Sequence, residues 1–99
     1  MHDVRPKILI PFDNREAITV KEAALRAGRS PQTLREWCAR YNLGRRIGGV
    51  WLISGPALAM FLEGDRMALR AYVAGDRSSP VVARYLARFG LSAREACDA

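Results

Sequence analysis

A chain of 99 residues with a formal net charge of +6 is expected to form one compact domain, with a core that needs neither disulfide nor metal support, and its charge suits a polyanionic partner. Cys38 and Cys97 are too few and too far from any ligand spacing for a disulfide scaffold or zinc site, which fits a reducing cytoplasm. No apolar run approaches the roughly 18 to 20 residues that span a bilayer, and no basic-then-apolar leader opens the chain, so a soluble intracellular protein is expected.

The charge is unevenly spread. Between residues 19 and 53 seven basic side chains stand against two acidic ones, residues 1–18 balance, and the tail from residue 54 carries six arginines against five acids. A surplus gathered in one third of the sequence points to a binding face, not to general solvation.

In chain order, Ile8-Leu9-Ile10 is a short apolar run stopped by Pro11 and reads as a short strand or an extended arm on the core. Thr19-Val20-Lys21-Glu22 has the spacing of a capping box, in which the Thr oxygen accepts the amide three residues on and the Glu side chain returns to the cap amide. It predicts a helix to about residue 27 with Val20, Ala23, Ala24 and Ala27 inward, ended by Gly28. Ser30-Pro31 is a second start signal, a cap followed by a proline whose missing N–H is harmless in the first turn. About three residues separate the two helices, the tight turn of a helix-turn-helix.

The second helix, over residues 31–41, places Leu34, Trp37, Cys38 and Tyr41 on one stripe, read as core. Gln32, Arg35, Glu36, Ala39 and Arg40 take the other face. Arg45-Arg46-Ile47 and Val50-Trp51-Leu52-Ile53 flank Gly48-Gly49, which predicts a hairpin with a primed turn and with Trp51 and Ile53 on its inner face. Ser54 heads a third helix, over residues 55–63, with Leu58, Phe61 and Leu62 as its buried stripe. Gly64-Asp65 ends it and caps a further helix over residues 67–74. Residues 75–79 read as a linker, and Ser79-Pro80 repeats the cap-plus-proline signal before a helix with Val82, Tyr85, Leu86 and Phe89 on one stripe. Residues 92–95 form a further weak capping box.

The order helix, tight turn, helix, Gly-Gly hairpin, helix resembles the MerR-like DNA-binding fold, and specifically the short excisionase-type proteins, over residues 18–63. The residues that carry the resemblance are Thr19-Val20-Lys21-Glu22-Ala23-Ala24, Ser30-Pro31-Gln32-Thr33-Leu34-Arg35-Glu36-Trp37, Arg45 to Ile53 around Gly48-Gly49, and Leu58 with Phe61-Leu62. Full MerR regulators continue into a long dimerisation helix and an effector site, for which this chain has no room. The expected fold is mainly α with a small β-hairpin, a winged helix-turn-helix with a C-terminal helical extension. Residues 1–17 form the arm, 18–64 the DNA-binding domain and 65–99 the extension.

The resemblance implies a recognition helix in the major groove and a wing on phosphates or the adjacent minor groove. The residue types agree. Arg35 can reach guanine O6 and N7, Gln32 can address adenine N6 and N7, and Ala39 permits close approach. Thr33 can meet a phosphate or a thymine methyl, and Ser30 heads amides that attract phosphate. Arg40, Arg45 and Arg46 suit phosphate clamping, and Lys21 and Gly48 complete the DNA-binding set. Glu36 reads either as a screened neighbour of Arg40 at i+4 or as an acceptor from cytosine N4. Trp37 and Trp51 are core aromatics.

The last amphipathic helix has two readings. It folds back on the same domain, or its Val82, Tyr85, Leu86 and Phe89 stripe docks on a neighbouring protomer and serves oligomerisation. Catalysis lacks its parts: the one histidine, His2, stands at the chain end, so no Ser-His or Cys-His arrangement assembles, and no P-loop spacing is present. Neither enzyme activity, cofactor, metal, small-molecule ligand nor membrane is expected. The expected function is that of a recombination directionality factor in a bacterial cytoplasm, on the nucleoid, binding double-stranded DNA beside an integrase and self-associating along it. The alternatives are a small MerR-like transcriptional regulator and an interaction adaptor without DNA binding.

Overall fold

In the computed structural model, which describes residues 8, 9 and 13–91, the chain runs β1 (Ala17–Thr19), α1 (Val20–Ala27), α2 (Pro31–Tyr41), β2 (Gly44–Ile47), β3 (Val50–Ser54), α3 (Gly55–Leu62), α4 (Arg66–Val73) and α5 (Pro80–Arg88). His2, Ile10, Cys97 and the capping box at 92–95 lie outside the described residues. Among the described residues five helices accompany a three-stranded antiparallel sheet of order β1-β3-β2, with α1, α2 and α3 packed on it and α4 and α5 behind α3, a mainly helical winged helix-turn-helix.

The helix ends follow the local chemistry. The Thr19 hydroxyl accepts the Glu22 amide at 3.0 Å, and Gly28 closes α1 in the left-handed region at φ 68°. The Glu22 carboxylate does not return to the cap; it holds Arg26 one turn on at 2.8 Å. Ser30 caps α2 through the Thr33 amide at 3.1 Å, with Pro31 in the first turn. Asn42 ends α2 at φ 60°, in the left-handed conformation that asparagine tolerates better than most residues.

Gly48 and Gly49, at φ 61° and 83°, form the two-residue turn of the hairpin. The sheet has a third strand that the sequence did not announce. Its first strand is β1, where Ile18 faces Ile53 across the ladder, so β3 is the central strand. Ile8 and Leu9 do lie buried on the core, but in a turn, with Leu9 at φ 56°. Three residues beside α1 are too short a run to show alternation, whereas Ile8-Leu9-Ile10 looked like a strand by apolarity alone.

One core joins Ile18, Ala23, Leu34, Cys38 and Ile53 of the winged module to Met60, Tyr72, Val82 and Leu86 behind it. Because α3 has neighbours on several sides, its buried set differs from a single stripe. Ala57, Leu58 and Met60 are buried, Phe61 is half-buried against Trp37 and Tyr41 with centroids 4.9 and 4.8 Å apart, and Leu62 is 44% exposed. The stripe of α5 takes the first of its two readings and folds back on the same domain. Val82, Tyr85 and Leu86 are buried in the chain's own core, with Phe89 half-buried beside them and packed over Gly55, where a Cβ would lie 2.5 Å from the ring. The linker at 75–79 is an ordered turn in which Asp76 accepts the Ser78 and Ser79 amides at 2.9 and 3.0 Å, while the Ser79 hydroxyl makes no cap bond.

Glu16 is a buried anchor. Its carboxylate accepts the Leu9 amide at 3.1 Å, the Tyr72 hydroxyl and the Arg77 guanidinium at 3.3 Å, and its carbonyl accepts the Gly55 amide at 2.8 Å. It thus ties the N-terminal turn, the head of α3, α4 and the 75–79 turn together.

Burial on the inner side of α2 pushes the Cys38 thiol up to about 11, so it stays protonated at pH 8. In a Cys97→Ser chain, Cys38 is expected to react with a disulfide reagent at least about 100-fold more slowly folded than in urea. Equal rates in the two conditions would show that it is not buried.

Candidate nucleic-acid interface

Leu34 and Cys38 fix the buried side of α2. Steps of about 100° per residue then place Glu36 opposite the core, Gln32, Ala39 and Arg40 within about 60° of it, and Arg35 on one flank. All five are exposed. Thr33 is half-buried and its hydroxyl lies 3.0 Å from that of Ser30, so these two side chains brace the first turn. Lys21 is exposed in the first turn of α1.

The wing separates its two arginines. Arg46 pairs with Trp51 and Arg45 with Leu52, so successive side chains project from opposite faces of the ribbon. Gly44, two residues before Arg46, faces the Cys38 sulfur, which puts exposed Arg46 on the α2 side and half-buried Arg45 on the reverse. Gly48 is exposed at the tip. The structure therefore presents Gln32, Arg35, Glu36 and Arg40 on α2 behind its Ser30 cap, with Arg46 on the α2 side of the wing and Arg45 on the other.

Glu36 does not pair with Arg40. The Arg40 guanidinium lies 6.0 Å from the centroid of the Tyr41 ring, and Tyr41, read from its stripe as core, is 38% exposed at the helix end. Its ring rests on Phe61, a contact between helices far apart in sequence. Arg29, exposed in the turn beside Ser30, had no assigned role. Its place immediately before a cap-plus-proline helix start was the available signal. Among the described residues no helix is long and apolar enough to cross a membrane.

A helix pair joined by a tight turn, with a hairpin against the second helix and exposed cations on both, defines a winged helix-turn-helix DNA-binding module. A family model for the helix-turn-helix domain matches residues 17–66, half of the chain, from the start of β1 to the first residue of α4. The chain belongs to that helix-turn-helix family. No curated protein and no solved structure matches it.

Proposed function

We propose that this chain is a non-catalytic, sequence-specific DNA-binding accessory factor of site-specific recombination, acting in the bacterial cytoplasm on attachment-site DNA with an integrase. DNA engagement is supported by one observation above all: Gln32 and Arg40 are exposed on the outward face of α2 and Arg35 on its flank, with Arg46 on the α2 side of the wing. The recombination role is supported by the MerR-like, excisionase-type resemblance over residues 18–63. In this reading several protomers bind neighbouring sites and bend the duplex, which costs about 1 to 6 kcal/mol of elastic energy. Cooperation runs through surfaces other than the α5 stripe; among the described residues Leu25 and Met67, 76% and 79% exposed, are the most open large apolar side chains.

Footprinting at an attachment site, with an excision assay in cells lacking the chain, tests the role. Protection of a promoter with unchanged excision would favour the small transcriptional regulator instead. Arg35→Ala is expected to cost about 1 to 3 kcal/mol on the cognate site and to relax one base position, whereas Arg46→Ala weakens all duplexes alike. About five phosphate contacts predict a slope of roughly −4 to −5 in log affinity against log salt. A near-flat slope would indicate an adaptor that does not bind duplex electrostatically.

A further inference from the structure

Nearly every acid among the described residues is held within the chain. Asp13 lies 3.0 Å from Arg15, Glu22 2.8 Å from Arg26, and Glu63 pairs with Arg88. Glu16 is buried with Tyr72 and Arg77, Asp65 caps α4, and Asp76 receives two amides of the following turn. Glu36 differs: it is exposed, makes no hydrogen bond or ion pair among the described residues, and stands at the middle of the outward face of α2. Arg40, the cation one turn away, lies against Tyr41 instead.

A bare carboxylate there opposes binding to any phosphate chain, and pressing it against a groove floor strips its water. That penalty is offset only where a base edge donates to it. In the major groove a carboxylate accepts from cytosine N4; adenine also donates from N6 but sets its N7 acceptor beside that donor, and guanine O6 and N7 and thymine O4 present acceptors that repel it. We propose that Glu36 is a specificity-determining residue that reads cytosine N4, so that the bound site carries a C·G pair beneath the middle of α2. The inference rests on α2 being the recognition helix. Attraction to the cytosine donor and repulsion by the acceptors on the other bases act together in the discrimination.

The test is selection of sites from a random duplex pool by the full chain and by its Glu36→Gln and Glu36→Ala variants. Wild type is expected to fix C at one position, preferred by about 10- to 100-fold. Glu36→Gln moves that position to A, because an amide pairs with adenine N6 and N7. Glu36→Ala loses preference there, keeps the other positions, and binds scrambled duplex about two- to fivefold more tightly once the repelling charge is gone. Thermal unfolding of both variants stays at the wild-type temperature within about 2 °C, as expected for an exposed side chain without partners. Identical motifs from all three proteins, or a wild-type motif with no C at a position that Glu36→Gln alters, would overturn the assignment. A wild-type chain that selects no motif removes the recognition-helix reading itself, and this inference with it.

Discussion

Glu16→Ala is expected to lower the stability of the chain by about 3 to 5 kcal/mol, the range for removing one partner of a buried charged network. The substitution takes one acceptor away from each of three donors. Arg77 is the least affected, since its side chain is 19% exposed and can turn to water. The Tyr72 hydroxyl and the Leu9 amide cannot, because both residues are buried at 0% and 1% exposure. Each stranded donor costs about 1 to 3 kcal/mol. Tyr72→Phe, which removes a donor and leaves the carboxylate two others, is expected to lose less. Urea unfolding of the three proteins measures the differences, and against a typical total of about 5 to 15 kcal/mol the alanine variant should sit near the edge of folding. A loss below about 1 kcal/mol for Glu16→Ala would mean that the network does not hold in solution.

Gly44→Ala is the second large effect. A Cβ at this position would collide with the Leu52 carbonyl oxygen and lie 3.0 Å from both the Cys38 sulfur and the Ile53 Cα. Two of those three atoms belong to the backbone of the central strand and have no rotamer to give. The start of β2 must therefore move away from β3 as well as from Cys38 of α2. We expect a loss near 3 kcal/mol, at the upper end for overpacking, together with weaker DNA binding because Arg46 moves with β2. Gly48→Ala makes a useful contrast. Its Cβ meets open space, and the substitution is opposed only by the positive φ of 61°, so about 1 kcal/mol is expected. Comparable losses from both substitutions would show that close packing at Gly44 is not what selects glycine there.

Much of the winged module was legible because its signals are local. Ser30-Pro31, Gly28 and Gly48-Gly49 each act within four residues, and the structure places caps and turn where they predict. The outward set on α2 was legible for a related reason, since Leu34 and Cys38 alone orient the helix. What was not legible depends on partners distant in sequence. β1 is defined by its pairing with β3, across more than thirty residues of chain. Glu16 is buried only because Tyr72 and Arg77 arrive from the other end. Leu62 is exposed and Met60 buried because α4 and α5 cover sides of α3 that an amphipathic reading leaves to water. At the interface, i,i+4 spacing suggested a Glu36–Arg40 pair, but Phe61 holds Tyr41 where its ring competes for the guanidinium. The period of two in β2 puts Arg45 and Arg46 on opposite faces, yet only the contact of Gly44 with Cys38 tells which face meets α2.

The position of β3 between two partners has a mechanical consequence. A two-stranded ribbon on its own is barely stable in water and would flap at its root. Here its inner strand is stapled along the far edge, with Thr19 opposite Leu52. The ribbon is thus a lever with its fulcrum inside the domain, and a load placed on the glycine tip is delivered to Thr19, the residue that caps α1.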